Sequence, residues 1–319
     1  MARQWIRKCS LIVGDNNGNG LDLGEFRVTF ETIHWALGEP GKAIIRVYNL
    51  KPETEKRVQG LKEFSKVTLS AGYADPGAPF GVIFSGNIIE AWAKRENPVD
   101  TYLEILAADG DQAYNYAVVS KTLAPGSTFN DQLKAIEEAT KPHGLTLGYV
   151  PDLGNARMVR ARVMHGMARD YLRTIARSTN CSWYIDQGKI NLVPNDGAKP
   201  GEAIVLNSAT GLIGRPEQAM NGIIARCLLN PNIRVQSQVS IDQASVNHMT
   251  GGLVVTGQLD PAQSETFRPS IAADGGYKVL QISTIGDTRG QPWYHDLVLA
   301  PVNGTQPGTV QALGYAGSI

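Results

Sequence analysis

Asp15, Asn17, Asn19 and Gly20, within "GDNNGNGLDLGE", stand where a helix-loop-helix calcium site places its first oxygen ligands and its sharp-turn glycine. Such a loop also needs a bidentate glutamate at its twelfth position, between two helices. Here the twelfth residue is Phe26, Glu25 falls one position early, and the preceding "WIRKCSLIVG" is strand-like. The stretch is therefore predicted to be a strand-joining loop, and calcium or a chelator is expected to leave the melting temperature unchanged. Asp109 and Asp111 in "AADGDQ" offer a carboxylate pair for acid–base or metal chemistry, yet carboxylates flanking a glycine at a strand end predict a turn. The histidines His34, His143, His165, His248 and His295 are scattered, and no HExxH, GxSxG, P-loop or CxxC occurs. "GNGLDLG" misses the dinucleotide-loop spacing by one residue. Cys9, Cys181 and Cys227 are odd in number and widely spaced, which predicts reduced, inert thiols. From these residues no catalytic set, metal site or cofactor is predicted.

Composition narrows the partners. The 319 residues suffice for two or three domains, and 30 basic against 30 acidic residues give no global field to draw in nucleic acid or an anionic membrane. Hydrophobic content of 42% with 34 glycines suits a turn-rich, strand-rich globular chain. The opening residues lack the apolar run of a signal peptide, and later apolar runs are too short or too interrupted to cross a bilayer, so a soluble, cytoplasmically made protein is expected.

The elements that would position any site fall into three blocks. In "EFRVTFET" Phe26, Val28 and Phe30 alternate with polar residues, and "KAIIRVYNL", "KVTLSAGY", "GVIFSGNIIEAW" and "TYLEILAAD" follow at the rhythm of a barrel or sandwich. "KPETEKRVQG" predicts a short helix, with Pro52 first, Glu53 and Glu55 at its positive end and Gly60 closing it. After Ala124 the period changes. Ser127 or Thr128 can cap a helix bearing Phe129, Leu133 and Ile136, and a second helix carries Met167, Tyr171, Leu172 and Ile175 on one side. "CSWYIDQGKINLVP" reads as a hairpin turning at Asp186 to Lys189. Strands then return at "AIVLNS", "GIIARCLL", "RVQSQVSID", "GGLVVTGQLD", "YKVLQISTIGD" and "WYHDLVLAPV", and the last stretch has no clear period.

Several phrases in this order resemble the baseplate hub proteins of contractile-tailed bacteriophages, a group related to late-control-D-type tail proteins and to hubs of similar injection machines. They are "LDLGEFRVTFET", "KAIIRVYNLKPETEKRV", "VTLSAGY" and "IFSGNIIEAWAKRENPVDTYLEILAADGDQAYNYAVVSKTLAPGST", then "LNSATGLIGRPEQAMNGIIARCLLNPNIRVQSQVSID", then "YKVLQISTIGDTRGQPWYHDLVL". The resemblance implies a mainly β chain with two tail-tube-like β-barrel domains, 1–114 and 198–302, flanking an α/β domain at 115–197, with a C-terminal tail at 303–319. It further implies a homotrimer whose six barrels join a tail tube above to a threefold spike below, beside neighbouring baseplate proteins, with DNA passing through the lumen without specific binding. The virion tail baseplate is the implied location, with no membrane partner and no catalytic residues. Interface candidates in the matching motifs are Gly211, Gly214, Arg215, Pro216, Asn230, Pro231, Asp287, Arg289, Trp293 and Tyr294; tryptophan, tyrosine and arginine dominate interface energies. Two rivals stand beside this reading. One is a peptidoglycan-binding or degrading tail component with Asp109, Asp111, Trp92, Tyr114 and Tyr116 around a sugar cleft. The other is a monomeric β-rich ligand-binding protein.

Overall fold

The computed structural model describes residues 6–14, 20–60, 66–219, 222–241 and 275–302. Asp15, Asn17 and Asn19, the strand expected at "GGLVVTGQLD" and the tail 303–319 lie outside the described residues.

The first flank contains β1 (Arg7–Gly14), β2 (Gly20–Asp22), β3 (Val28–Trp35), β4 (Lys42–Tyr48), α1 (Pro52–Gln59), β5 (Lys66–Tyr73), β6 (Phe80–Arg95) and β7 (Thr101–Ala108). In β3 the side chains of Val28, Phe30, Thr32 and His34 are buried and those between them are not, as period-two alternation requires. Phe26 precedes the strand and packs against the same core. Pro52 opens α1, and Glu53 and Glu55 occupy its first turn. Strand β6 turns a corner: its first half pairs with β5, its second half with β7, and a bulge interrupts the ladder between Ile88 and Glu90. The chain thereby lays β1 and β5 over β3, β4 and β7, enclosing Leu11, Val67, Leu69, Ile45, Leu103 and Ile105.

The middle unit runs α2 (Asp111–Tyr116), β8 (Val118–Leu123), α3 (Phe129–Thr140), β9 (Thr146–Leu147), β10 (Arg162–Met167), α4 (Ala168–Ser178), β11 (Cys181–Asp186) and β12 (Lys189–Pro194). Thr128 caps α3 reciprocally with Asp131, its hydroxyl taking the Asp131 N–H while the Asp131 carboxylate takes the Thr128 N–H. Leu133 and Ile136 of α3 meet Leu172 and Ile175 of α4 over Trp183 and Leu192 of the hairpin. That hairpin turns through Gln187 (φ 52°) and Gly188 (φ 71°), the left-handed pair of a two-residue turn. Where "AADGDQ" predicts only a turn, Asp111 begins the short helix α2, entered through Gly110 at φ 74°.

The second flank has β13 (Ile204–Leu206), β14 (Leu212–Ala219), β15 (Gly222–Leu228), β16 (Gln238–Ile241), β17 (Gly276–Asp287) and β18 (Trp293–Pro301). The mainly β expectation holds, but among the described residues the strands close into no barrel. Those of the two flanks form one open sheet in the order β14-β15-β18-β17-β3-β4-β7-β6-β5-β1-β2, with β16 branching from β17 and β13 pairing with β16, while β8 pairs with β10 and β12 with β11 and β9 in the middle unit. The reason is edge satisfaction: β17 gives residues Gln281–Asp287 to antiparallel pairing with Thr29–Trp35 of β3, so each flank closes against the other instead of on itself. Within this sheet β14-β15-β18-β17 and β3-β4-β7-β6 repeat one topology, the first, second, fourth and third strands of each set in space, placed head to tail.

Candidate functional site

The strand pairing brings one row of side chains from both flanks onto a single sheet face. Arg46 of β4 stands opposite Glu104 of β7, and Arg226 of β15 opposite Asp296 of β18. Arg226 grips Asp296 in a bidentate pair, Nε to Oδ1 at 2.6 Å and Nη2 to Oδ2 at 3.0 Å. Glu104 accepts from Arg46 Nε at 2.7 Å and also from Lys94 Nζ. Asp287 accepts from Arg27 Nη2 at 2.8 Å. Three of these guanidinium groups also lie over tyrosine rings: Arg27 over Tyr48 at 4.5 Å, Arg46 over Tyr102 at 5.5 Å and Arg226 over Tyr294 at 4.3 Å. Each cation is thus held between a carboxylate and a ring.

This face forms a groove of about 1010 Å³ spanning β15 to β6. Its charged lining comprises Glu31, Glu104, Asp287 and Asp296 against Arg46, Lys94 and Arg226, so neither sign dominates. Burial pushes the Glu104 carboxyl up, but hydrogen bonds from Lys94 and Arg46 outweigh it and hold the group below its usual range. Asp287 behaves alike: burial raises it, and Arg27 with the Arg289 and Gly290 N–H groups lowers it further. Carboxylates held ionised in this way accept hydrogen bonds and do not donate protons, so Glu104 and Asp287 are not set up as general acids.

The interface candidates are distributed around this sheet. Gly211 (φ 105°) turns the chain into β14, and Gly214 (φ 72°) and exposed Arg215 lie between Ile213 and Glu217, where the β14 register shifts; Pro216 beside them is buried. Asn230 donates its N–H to His295 Nε2 at 2.9 Å, and Pro231 lies against Gly81 of β6, 3.4 Å from where a β-carbon would stand. Asp287 binds Arg27, while exposed Arg289 reaches back to the Glu25 carbonyl at 3.2 Å. Trp293 is 2% exposed, edge-on to Phe30 at 5.4 Å and beneath Arg7, inside the first flank's core. The "DTRGQPWY" loop therefore joins the two flanks within the chain.

The residues of the sugar-cleft reading have other contacts. Asp109 is 1% exposed, Asp111 accepts from Asn115 on its own helix, Trp92 lies under Lys94 and Tyr114 under Arg169. Asp109 instead faces a cluster with His34 and Asp186, from three separate stretches of chain that local spacing cannot connect. Next to that cluster His295 Nε2 lies 2.9 Å from the Asn230 N and 3.1 Å from its carbonyl oxygen, and Nδ1 lies 2.8 Å from Thr284 Oγ1; burial lowers its pKa to about 4, so it stays neutral. The three cysteines are free, and burial, helped by Asp22 and Asp296 respectively, pushes Cys9 and Cys227 up to about 12, in keeping with inert thiols. Among the described residues no helix is long and apolar enough to cross a membrane.

Comparison with known proteins follows the same line. The fold is similar to the 43 kDa tail protein of prophage MuSo2 from Shewanella oneidensis, with TM-score 0.58 and 8% identity over 94% of this chain and 99% of that one. It is similar to a tail protein from Neisseria meningitidis MC58, with TM-score 0.55 and 9% identity over 92% and 96% of the two chains. In a Francisella PdpA–VgrG complex a chain of TM-score 0.57 and 8% identity is covered over 60% of its length by 97% of this one. No curated protein matches the sequence. A family model described as baseplate hub gp41 matches residues 41–260, from β4 of the first flank through β16 of the second. That span takes in all of the middle unit and strands from both flanks, and the chain belongs to the baseplate hub gp41 family.

Proposed function

We propose that this protein is a structural hub of a phage tail baseplate, a trimer whose six sheet units surround a channel and join the tail tube to the central spike. The observation that carries this reading is the head-to-tail repeat. Strand β17, third of its set in the chain, pairs with β3, first of the other set. Repeating that step between molecules brings β14, the sheet's free end, beside the outer edge of the second half of β6 in the next copy. A junction that reproduces itself head to tail gives a ring when its rotation closes, and three copies of a two-unit chain give six units, matching a sixfold tube to a threefold spike.

In this arrangement the groove face turns inward. Its paired charges offer DNA no net attraction that would hold it by phosphate contacts, and the fixed Arg–carboxylate–Tyr sets keep long side chains out of the path. Residues 1–114 and 198–302 act as the two tube-like domains, 115–197 as the domain between them and 303–319 as a tail. Gly214 and Arg215 on β14, with Arg289, are the candidates that reach a neighbouring copy. The likeness to phage tail proteins and to a VgrG complex supports a place in such a machine, assembled in the host cytoplasm and carried in the virion.

Cysteine cross-linking tests the junction. Ala93→Cys on β6 combined with Ile213→Cys on β14 should yield a covalent trimer under oxidation, with either single variant remaining monomeric on denaturing gels. Absence of covalent oligomers from native trimers would refute this edge pairing.

A further inference from the structure

Two units of the fold meet at a buried polar point. His34 comes from β3, Asp109 from the end of β7 and Asp186 from the end of β11, where the hairpin of the middle unit touches the first flank. One ligand atom from each lies within 4.8 Å of the other two. His34 is 4% exposed and Asp109 1% exposed. Asp109 Oδ1 takes the Gly188 N–H at 3.0 Å, which orients the carboxylate, yet Oδ2 has no partner. Neither ring nitrogen of His34 completes a hydrogen bond in the geometry of the site. Buried polar atoms without partners are costly, so Asp109 Oδ2 and the ring nitrogen of His34 that belongs to the cluster call for an occupant.

We propose that His34, Asp109 and Asp186 form a binding site for one first-row divalent transition-metal ion of the zinc type, which fastens the middle unit to the first flank. One neutral imidazole and two carboxylates are a donor set suited to that class, and the two negative charges balance the ion. Ligands about 2.1 Å from a tetrahedral ion stand about 3.4 Å apart, so ligand atoms now within 4.8 Å of one another would draw in by up to about 1.4 Å on binding. A void of about 10 Å³ bounded by His34 and Asp186, with Arg234, Thr284 and His295 but not Asp109 on its wall, adjoins the cluster and is too small for the many oxygens calcium requires. Arg234 Nη1 stands 3.5 Å from Asp186 Oδ1, beyond a direct hydrogen bond, which holds that carboxylate near the cluster without saturating it.

The full chain is stripped with a chelator, then dialysed against zinc or cobalt and analysed by elemental mass spectrometry and visible absorption. Uptake of one ion per chain is expected, with cobalt ligand-field bands and a raised melting temperature. Asp109→Asn and His34→Gln should each weaken uptake by at least about tenfold, while His165→Gln, on β10 of the middle unit, leaves it unchanged. Far-UV circular dichroism establishes that each variant is folded. Wild-type protein taking up well under one ion per chain overturns the proposal without need of any variant; so does full uptake by folded Asp109→Asn and His34→Gln.

Discussion

Trp293 shows how a single side chain can serve a different boundary from the one its type suggests. As an exposed anchor its loss would weaken only assembly, but it lies in the first flank's core against Phe30 although β18 carries it. Trp293→Ala should therefore cost the isolated chain about 3–5 kcal/mol, measured by urea unfolding, because it leaves a large cavity between the flanks. Glu104 gives the charged counterpart. Its folded pKa is depressed, so its contribution is complete above the ordinary carboxylate value of 4.5 and is lost as pH falls through the lower folded value. Glu104→Gln should flatten that acid limb of a stability–pH profile while costing about 1 kcal/mol or less at neutral pH, since Arg46 and Lys94 are half-exposed and regain water. An unchanged acid limb would show that the three-residue set contributes nothing.

Elements were legible wherever periodicity and end signals agreed. The caps of α3, the proline start of α1 and the Gln187–Gly188 turn all follow from local chemistry that the chain spells out. Thr128→Ala should cost about 1 kcal/mol, read from thermal or urea unfolding, because one hydroxyl and one carboxylate satisfy two N–H groups at that end. Helix α2 was not legible: at six residues it is too short to show a period, and Gly110 before it is an equally good turn residue. Nor was the β3–β17 ladder, since pairing between strands some 250 positions apart leaves no mark in either strand's own alternation. The same distance hid the His34–Asp109–Asp186 cluster: local spacing offers Asp109 only Asp111 as a carboxylate partner, whereas the fold sets it beside His34 and Asp186.

For the whole molecule the sequence pattern pointed to two β flanks around an α/β unit, and the open sheet explains why the flanks are not independent: β17 and Trp293 commit the second to the first. In the proposed hub their shared strand order would make one chain two steps of a ring. The measurement that bears most directly on this is electron cryomicroscopy of the full-length protein assembled in its tail. It should show three copies around a channel, β14 of each beside β6 of the next, with Arg46, Glu104, Arg226 and Asp296 facing the lumen. A particle without threefold symmetry, or one in which that groove face is turned outward or buried against another protein, would contradict the account.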